Sequence, residues 1–103
     1  MRGETLMAKA ALIKIHLKVA GFVDRKMCTA ELDLEVPDKT SLKKFFRLAD
    51  KSGKLPPRVI RKIMGLPRPP TILWNGTNVD LSELSRLVKA GDEVALMTPL
   101  GGG

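Results

Sequence analysis

Two stretches of alternation set the first limit on what this chain can fold into. Ile13, Ile15, Leu17 and Val19 alternate with Lys14, His16 and Lys18. Ala30, Leu32, Leu34 and Val36 alternate with Glu31, Asp33 and Glu35. Successive side chains of an extended backbone point to opposite faces, so each stretch reads as a strand with one buried face and one wet face. Gly21 and Asp24-Arg25-Lys26 supply a turn between them, and so short a connection makes the pair an antiparallel hairpin. Lys14 and Lys18 can then face Glu31, Asp33 or Glu35, each such cross-strand pair contributing about 0.2–1 kcal/mol.

The pattern changes after Pro37-Asp38. Thr40 or Ser41 can cap a helix, and Leu42, Phe45, Phe46 and Ala49 fall at i, i+3, i+4 and i+7, the apolar stripe of an amphipathic helix. Lys43, Lys44, Arg47 and Lys51 take the opposite side, and Ser52-Gly53 closes the element. Pro56-Pro57 predicts the start of a second, short helix with Val59, Ile60, Ile63 and Met64 as its apolar side and Gly65 at its end. Pro67 to Pro70 reads as an extended connector. Thr71 to Trp74 is a third strand, stopped by the Asn75-Gly76 turn signal. Leu81, Leu84, Leu87 and Val88 predict a further short helix, capped by Asp80 or Ser82 and followed by Gly91. Glu93 to Thr98 is the fourth strand. Residues 1–10 read as a loose leader, 11–98 as one domain and 99–103 as a flexible tail.

Charge is unevenly placed. The net charge is +7. Between Lys39 and Arg68 ten basic residues stand against Asp50 alone, a local charge of +9 that leaves −2 for the rest. This predicts one positive face, with Lys43, Lys44, Arg47, Arg61 and Lys62 as candidates for docking a partner. Four aromatics and no interleaving of aromatic with basic residues argue against nucleic acid as that partner. Cys28 is the single cysteine, which excludes an intrachain disulfide and a cysteine zinc cluster. His16, between two lysines on a wet face, is expected to be exposed, and no metal site is expected. No catalytic triad, phosphate-binding glycine loop or paired carboxylate site is visible. The N-terminus makes a poor signal peptide and no run suffices to span a membrane, so a cytoplasmic protein is expected.

The chain ends in Gly101-Gly102-Gly103, directly after the fourth strand. Glycine has no Cβ, so this tail can thread a channel that other residues would block. Its α-carboxylate, ionised near neutral pH, is then the candidate reactive group.

Two segments carry a resemblance. Ile72-Leu-Trp-Asn-Gly76, and Leu87-Val-Lys-Ala-Gly-Asp-Glu-Val-Ala-Leu-Met-Thr-Pro-Leu-Gly-Gly-Gly103, are similar to the small sulfur-carrier proteins of the MoaD/ThiS type. These are the small subunit of molybdopterin synthase and the thiamine-pathway carrier. Gly102-Gly103 take the place of the family's diglycine, and Pro99 and Leu100 match its proline-plus-aliphatic spacing. The chain departs from the pattern in its longer basic segment from Lys51 to Pro70, and in Trp74, which replaces an aliphatic residue. The element order suits the same fold, an α+β, ubiquitin-like β-grasp. That fold has a four- to five-stranded mixed sheet packed on one main helix, here with an extra short helix and a Gly-Gly tail.

The resemblance implies a function that resides at the chain end. A ubiquitin-activating-type adenylating enzyme would use ATP and magnesium to convert the Gly103 carboxylate to an acyl-adenylate. Gly101 and Gly102 would thread its channel. A sulfur nucleophile would then leave a C-terminal thiocarboxylate for molybdopterin biosynthesis, with a large synthase subunit as second partner. Capture of the adenylate by a lysine would instead give a protein modifier, and a thiamine-pathway carrier shares the first steps. On each reading the chain is a carrier substrate with no cofactor of its own rather than an enzyme. Trp74, Pro99 and Leu100 are further docking candidates, Trp74 only if it is exposed near the tail. A basic interaction module with an inert tail is the alternative class.

Overall fold

The structure, a computed structural model, describes residues 11–23 and 25–98. The expected leader, Asp24 of the expected turn, and the tail residues Pro99, Leu100, Gly101, Gly102 and Gly103 lie outside the described residues.

The alternating stretches form strands β1 (Leu12–Val23) and β2 (Lys26–Pro37). They pair antiparallel from Leu12 opposite Pro37 to Val23 opposite Lys26. On the wet face, Lys14 meets Glu35, His16 meets Asp33 and Lys18 meets Glu31, so cross-strand charges are matched along the row. The hairpin is longer than the alternation over 13–19 indicates. Gly21 is not part of the turn but lies within β1 opposite Cys28. Arg25, at φ 65, takes the left-handed conformation of the connection.

Helix α1 (Leu42–Lys51) buries Leu42, Phe45, Phe46 and Ala49, the stripe read from the sequence. Ser41 is the cap: its hydroxyl accepts from the Lys44 N–H at 3.1 Å, while the Thr40 hydroxyl donates to the Pro37 carbonyl at 2.5 Å. Helix α2 (Val59–Met64) starts later than Pro56-Pro57 predict. The Pro56 carbonyl accepts from Val59 N–H at 3.1 Å in a preceding turn, and Arg58 stands at φ 58, a value no helix accommodates. Asp50 supplies the missing cap, its two carboxylate oxygens accepting from the Ile60 and Arg61 N–H groups at 3.0 and 2.8 Å.

Strands β3 (Thr71–Trp74) and β4 (Thr77–Val79) form a second hairpin across Asn75 and Gly76, at φ 54 and 81. Two successive positive φ values are what an Asn-Gly turn accepts at low cost. At three residues, β4 is too short to show alternation in the sequence. The helix expected over Leu81 to Val88 is a correction. Only a 3₁₀ turn, Leu81–Glu83, forms there, with Asp80 and Glu83 as a capping box. The following carbonyls are used elsewhere: those of Leu84 and Arg86 accept from Lys43 and Leu42 N–H at the start of α1, at 2.9 and 2.8 Å. Val88 is buried, whereas Leu81 and Leu87 are exposed.

Strand β5 (Glu93–Met97) runs parallel to β1 and antiparallel to β3, closing a mixed sheet in the order β2-β1-β5-β3-β4. One face of the sheet packs under the helices, with Ile15, Leu17, Leu42, Phe45, Ile63 and Leu96 fully buried. Each such side chain contributes roughly 1.5–3 kcal/mol of apolar transfer. Cys28 is half-buried against this core and serves packing. Among the described residues no helix is long and apolar enough to cross a membrane. Sheet, main helix and strand order are those of a ubiquitin-like β-grasp.

Candidate functional site at the root of the tail

The described chain ends at Thr98, which is held from three sides. Its N–H donates to the Ala20 carbonyl at 3.0 Å, and its hydroxyl accepts from the Phe22 N–H at 3.0 Å. Between these two bonds lies Gly21, where a Cβ would come within 2.7 Å of Thr98 Cγ2 and 3.1 Å of Ile63 Cδ1. The glycine leaves the room that the threonine methyl fills. Thr98 is accordingly buried, although it is polar and next to the tail. The last described residue is therefore fixed at the end of the central strand.

The open face of the sheet divides in two. At the end remote from Thr98 it is charged: Lys14, His16, Lys18, Glu31, Asp33, Glu35 and Glu93 project there. His16 is only partly exposed, because its Nδ1 lies 2.7 Å from Asp33 Oδ1 and its Nε2 lies 2.6 Å from Glu31 Oε2. The hydrogen bonds with Asp33, and then with Glu31, raise the imidazole above its ordinary pKa, and the bond with His16 lowers that of Asp33. Both ring nitrogens are engaged, and among the described residues no group of three or more His, Cys, Asp or Glu could hold a metal ion. At the Thr98 end the face is uncharged and mostly apolar, with Thr29 opposite Ala20 and Thr71 opposite Met97. Phe22 and Met27 pair across the hairpin at 55% and 54% exposure, and Ala20 lies beside Met97. These residues were not anticipated, although the signal was present: the alternation continues past Val19 and places Phe22 on the outward side.

The resemblance motifs meet at the other pole. Asp92 accepts from Trp74 Nε1 at 2.8 Å, Asn75 Nδ2 at 3.0 Å and Lys89 N–H at 2.7 Å. Asn75 Oδ1 in turn accepts from Glu93 N–H at 2.8 Å. Burial pushes the Asp92 carboxyl up, but the bonds from Asn75, Trp74 and Lys89 outweigh it and hold the group below the usual carboxylate range. The Asn75-Gly76 and Gly91-Asp92 segments are thus one node that fastens the β3–β4 turn to the start of β5. Trp74 is 7% exposed and lies under Arg86, whose guanidinium carbon is 4.7 Å from the ring centroid. It pairs with Val94, whereas Thr71 pairs with Met97. Trp74 is therefore core at the end of β5 remote from Thr98, which removes it from the docking candidates.

The basic candidates separate. Lys43, Arg47 and Arg61 line a groove between α1 and α2, together with Lys51 and Arg58, whereas Lys44 and Lys62 are not among its lining residues.

No curated protein matches the sequence. The solution structure of the Haloferax volcanii HVO 2177 protein is similar, with a TM-score of 0.59 at 20% identity over 89% of this chain and 88% of that one. The solution structure of Urm1 from Trypanosoma brucei gives 0.55 at 17% identity over 89% and 97%. At such identities these likenesses show the fold. The model of the ThiS family matches residues 22–103, from the apolar end of β1 to the last glycine. The chain belongs to the ThiS family, and its fold is that of the ubiquitin-like sulfur carriers.

Proposed function

We propose that the protein carries sulfur on its C-terminus. The observation that supports this best is the family match, which extends to Gly103. On this reading the Gly103 carboxylate attacks the α-phosphorus of ATP on a ubiquitin-activating-type enzyme and expels pyrophosphate. A sulfur nucleophile then displaces AMP, and a terminal thiocarboxylate results. Adenylation is needed because a free carboxylate has no adequate leaving group. ATP and magnesium are the partner's. This chain supplies the acyl group, Gly101 and Gly102 for passage through a narrow channel, and a surface to hold. The apolar sheet end at Phe22 and Met27 is suited to that contact, because it adjoins the fixed exit at Thr98. We take the acceptor to be the molybdopterin precursor, with a large synthase subunit as second partner, since the chain is longer than a minimal thiamine carrier. The same reading makes the protein a carrier substrate rather than an enzyme and places it in the cytoplasm, in keeping with a single cysteine.

Intact mass spectrometry after incubation with an activating enzyme, ATP, magnesium and a sulfur donor tests the proposal. An oxygen-to-sulfur mass gain that disappears on deletion of Gly102 and Gly103 supports it. An unchanged mass with several competent activating enzymes refutes it. Gly-Gly remnants on target lysines would identify a protein modifier instead, and sulfur transfer to a thiazole synthase would identify the thiamine pathway.

A further inference from the structure

The helix layer carries a second surface, independent of the tail. Between α1 and α2 runs a groove of about 670 Å³, within the roughly 300–1,000 Å³ of typical ligand sites. Its rim is cationic: Lys43, Arg47, Lys51, Arg58 and Arg61. Its floor is apolar, formed by Phe46, Ile60, Met64 and Leu84. Asp50, the acid at this site, has both oxygens committed to the Ile60 and Arg61 N–H groups. Among the described residues none of the five cations is in an ion pair. The contrast with the sheet is direct, because there every lysine of the β1 row faces an acid across the hairpin. Arg58 is also held at φ 58, a conformation costly for any residue with a Cβ, and such strain gathers at binding sites.

We propose that this groove docks an acidic amphipathic helix of a partner protein. Its carboxylates would face the five cations and its apolar side chains would enter between Met64 and Leu84, a helix-in-groove mode. Helix α1, with ten residues, is about 15 Å long, so the groove accepts about three turns. Other occupants fit less well. Residues 1–10 of this chain carry Arg2 and Lys9 against Glu4 and would meet like charge. The acidic row of a second copy, Glu31, Asp33 and Glu35, is already faced by Lys18, His16 and Lys14. Single-stranded nucleic acid needs exposed rings to stack on, and the groove's one aromatic, Phe46, is buried.

The test uses the full chain and a fluorescein-labelled peptide of about ten residues, glutamates with leucines at i, i+3, i+4 and i+7. Saturable binding by anisotropy is expected, with amide shifts in the isotope-labelled protein centred on Met64 and Leu84. Replacing the peptide leucines by serine, or introducing R47E together with R61E, should each weaken binding roughly tenfold or more. Arg58→Gly separates docking from folding. It relieves the left-handed backbone, so the thermal midpoint should stay level or rise while binding weakens. The proposal is overturned by absence of saturable binding, or by equal binding of the serine peptide, which would mean unspecific charge attraction. It is equally overturned if an oligouridine of similar length binds more tightly, or if the shifts map to Phe22 and Met27. None of these results bears on thiocarboxylate formation at Gly103, which is measured separately by mass.

Discussion

Gly21→Ala puts one methyl group where the structure has no room for it, and its effect can be worked through. The new Cβ would lie 2.7 Å from Thr98 Cγ2 and 3.1 Å from Ile63 Cδ1, whereas ordinary contact begins at 3.4 Å. Ile63 can yield, since Cδ1 is the end of a flexible side chain. Thr98 cannot yield so readily. Its N–H is bonded to Ala20 and its hydroxyl to Phe22, the two chain neighbours of Gly21. The added methyl is wedged between these bonds. Rotating the threonine away breaks the Phe22 bond, which contributes about 0.5–1.5 kcal/mol; keeping it forces an overpacked core at about 1–3 kcal/mol. The lower entropy of an unfolded chain with alanine offsets about 0.4–1 kcal/mol. These ranges centre on a net loss of about 1 kcal/mol, read as a lower urea midpoint at unchanged slope. Thr98→Ser keeps the hydroxyl and deletes the obstructing methyl, at about 0.8 kcal/mol for the lost carbon. Combined with Gly21→Ala it should restore most of the loss, so the two changes should couple by about 1 kcal/mol. Stabilities that add to within about 0.5 kcal/mol, or a Gly21→Ala protein as stable as the parent, would refute the account of how the tail is anchored.

Further outcomes are expected elsewhere. Asp92→Ala strips the acceptor from Trp74, Asn75 and Lys89 and should cost about 2–4 kcal/mol; red-shifted emission of Trp74, the single tryptophan, in the folded variant would locate the damage. The raised pKa of His16 means that its support of the hairpin is complete below 6.5 and fades as pH rises through the higher folded value. The lowered pKa of Asp33 means that its support is complete above 3.8 and fades as pH falls through the lower folded value. His16→Gln should therefore flatten the decline of thermal midpoint on the alkaline side, and parallel curves would count against the ion triad. Phe22→Ser with Met27→Ser should leave the midpoint nearly unchanged, since both side chains are more than half exposed, yet slow thiocarboxylate formation at least severalfold; an unchanged rate would place the activating enzyme's contact elsewhere. Phe45→Ala empties a fully buried position and should cost about 3–5 kcal/mol, measured by urea denaturation.

Local physics explains what could be read in advance. The hairpin and α1 were legible because Ile13 to Val19, Ala30 to Val36 and Leu42 to Ala49 each repeat one period long enough to be unambiguous. The Leu81 to Val88 segment shows a helical period as well, but its carbonyls were claimed by the open amides at the start of α1, a contact over forty residues that no local pattern encodes. Strand β4 escaped because three residues carry no period. Gly21 looked like a turn residue since glycine serves turns and close contacts alike, and only Thr98, distant in sequence, distinguishes them. The positive charge between Lys39 and Arg68 was plain, but its division into a groove lined by Lys43, Arg47 and Arg61 and an outer side with Lys44 required the relative placement of two helices. Of the motifs that carried the family resemblance, Asn75-Gly76 and Gly91-Asp92 proved to be fold-making, since Asn75 and Asp92 fasten the β3–β4 turn to the start of β5.

The central position of β5 has a mechanical consequence. A partner that draws the chain end into a channel pulls along the strand, and β5 is bonded to β1 on one side and β3 on the other. The load therefore falls on both ladders in shear, with many bonds resisting together, instead of peeling an edge strand one bond at a time. The Thr98 clamp takes the first of that load. On the proposed function, a pull on the chain end therefore meets both ladders of β5 together rather than a single edge ladder.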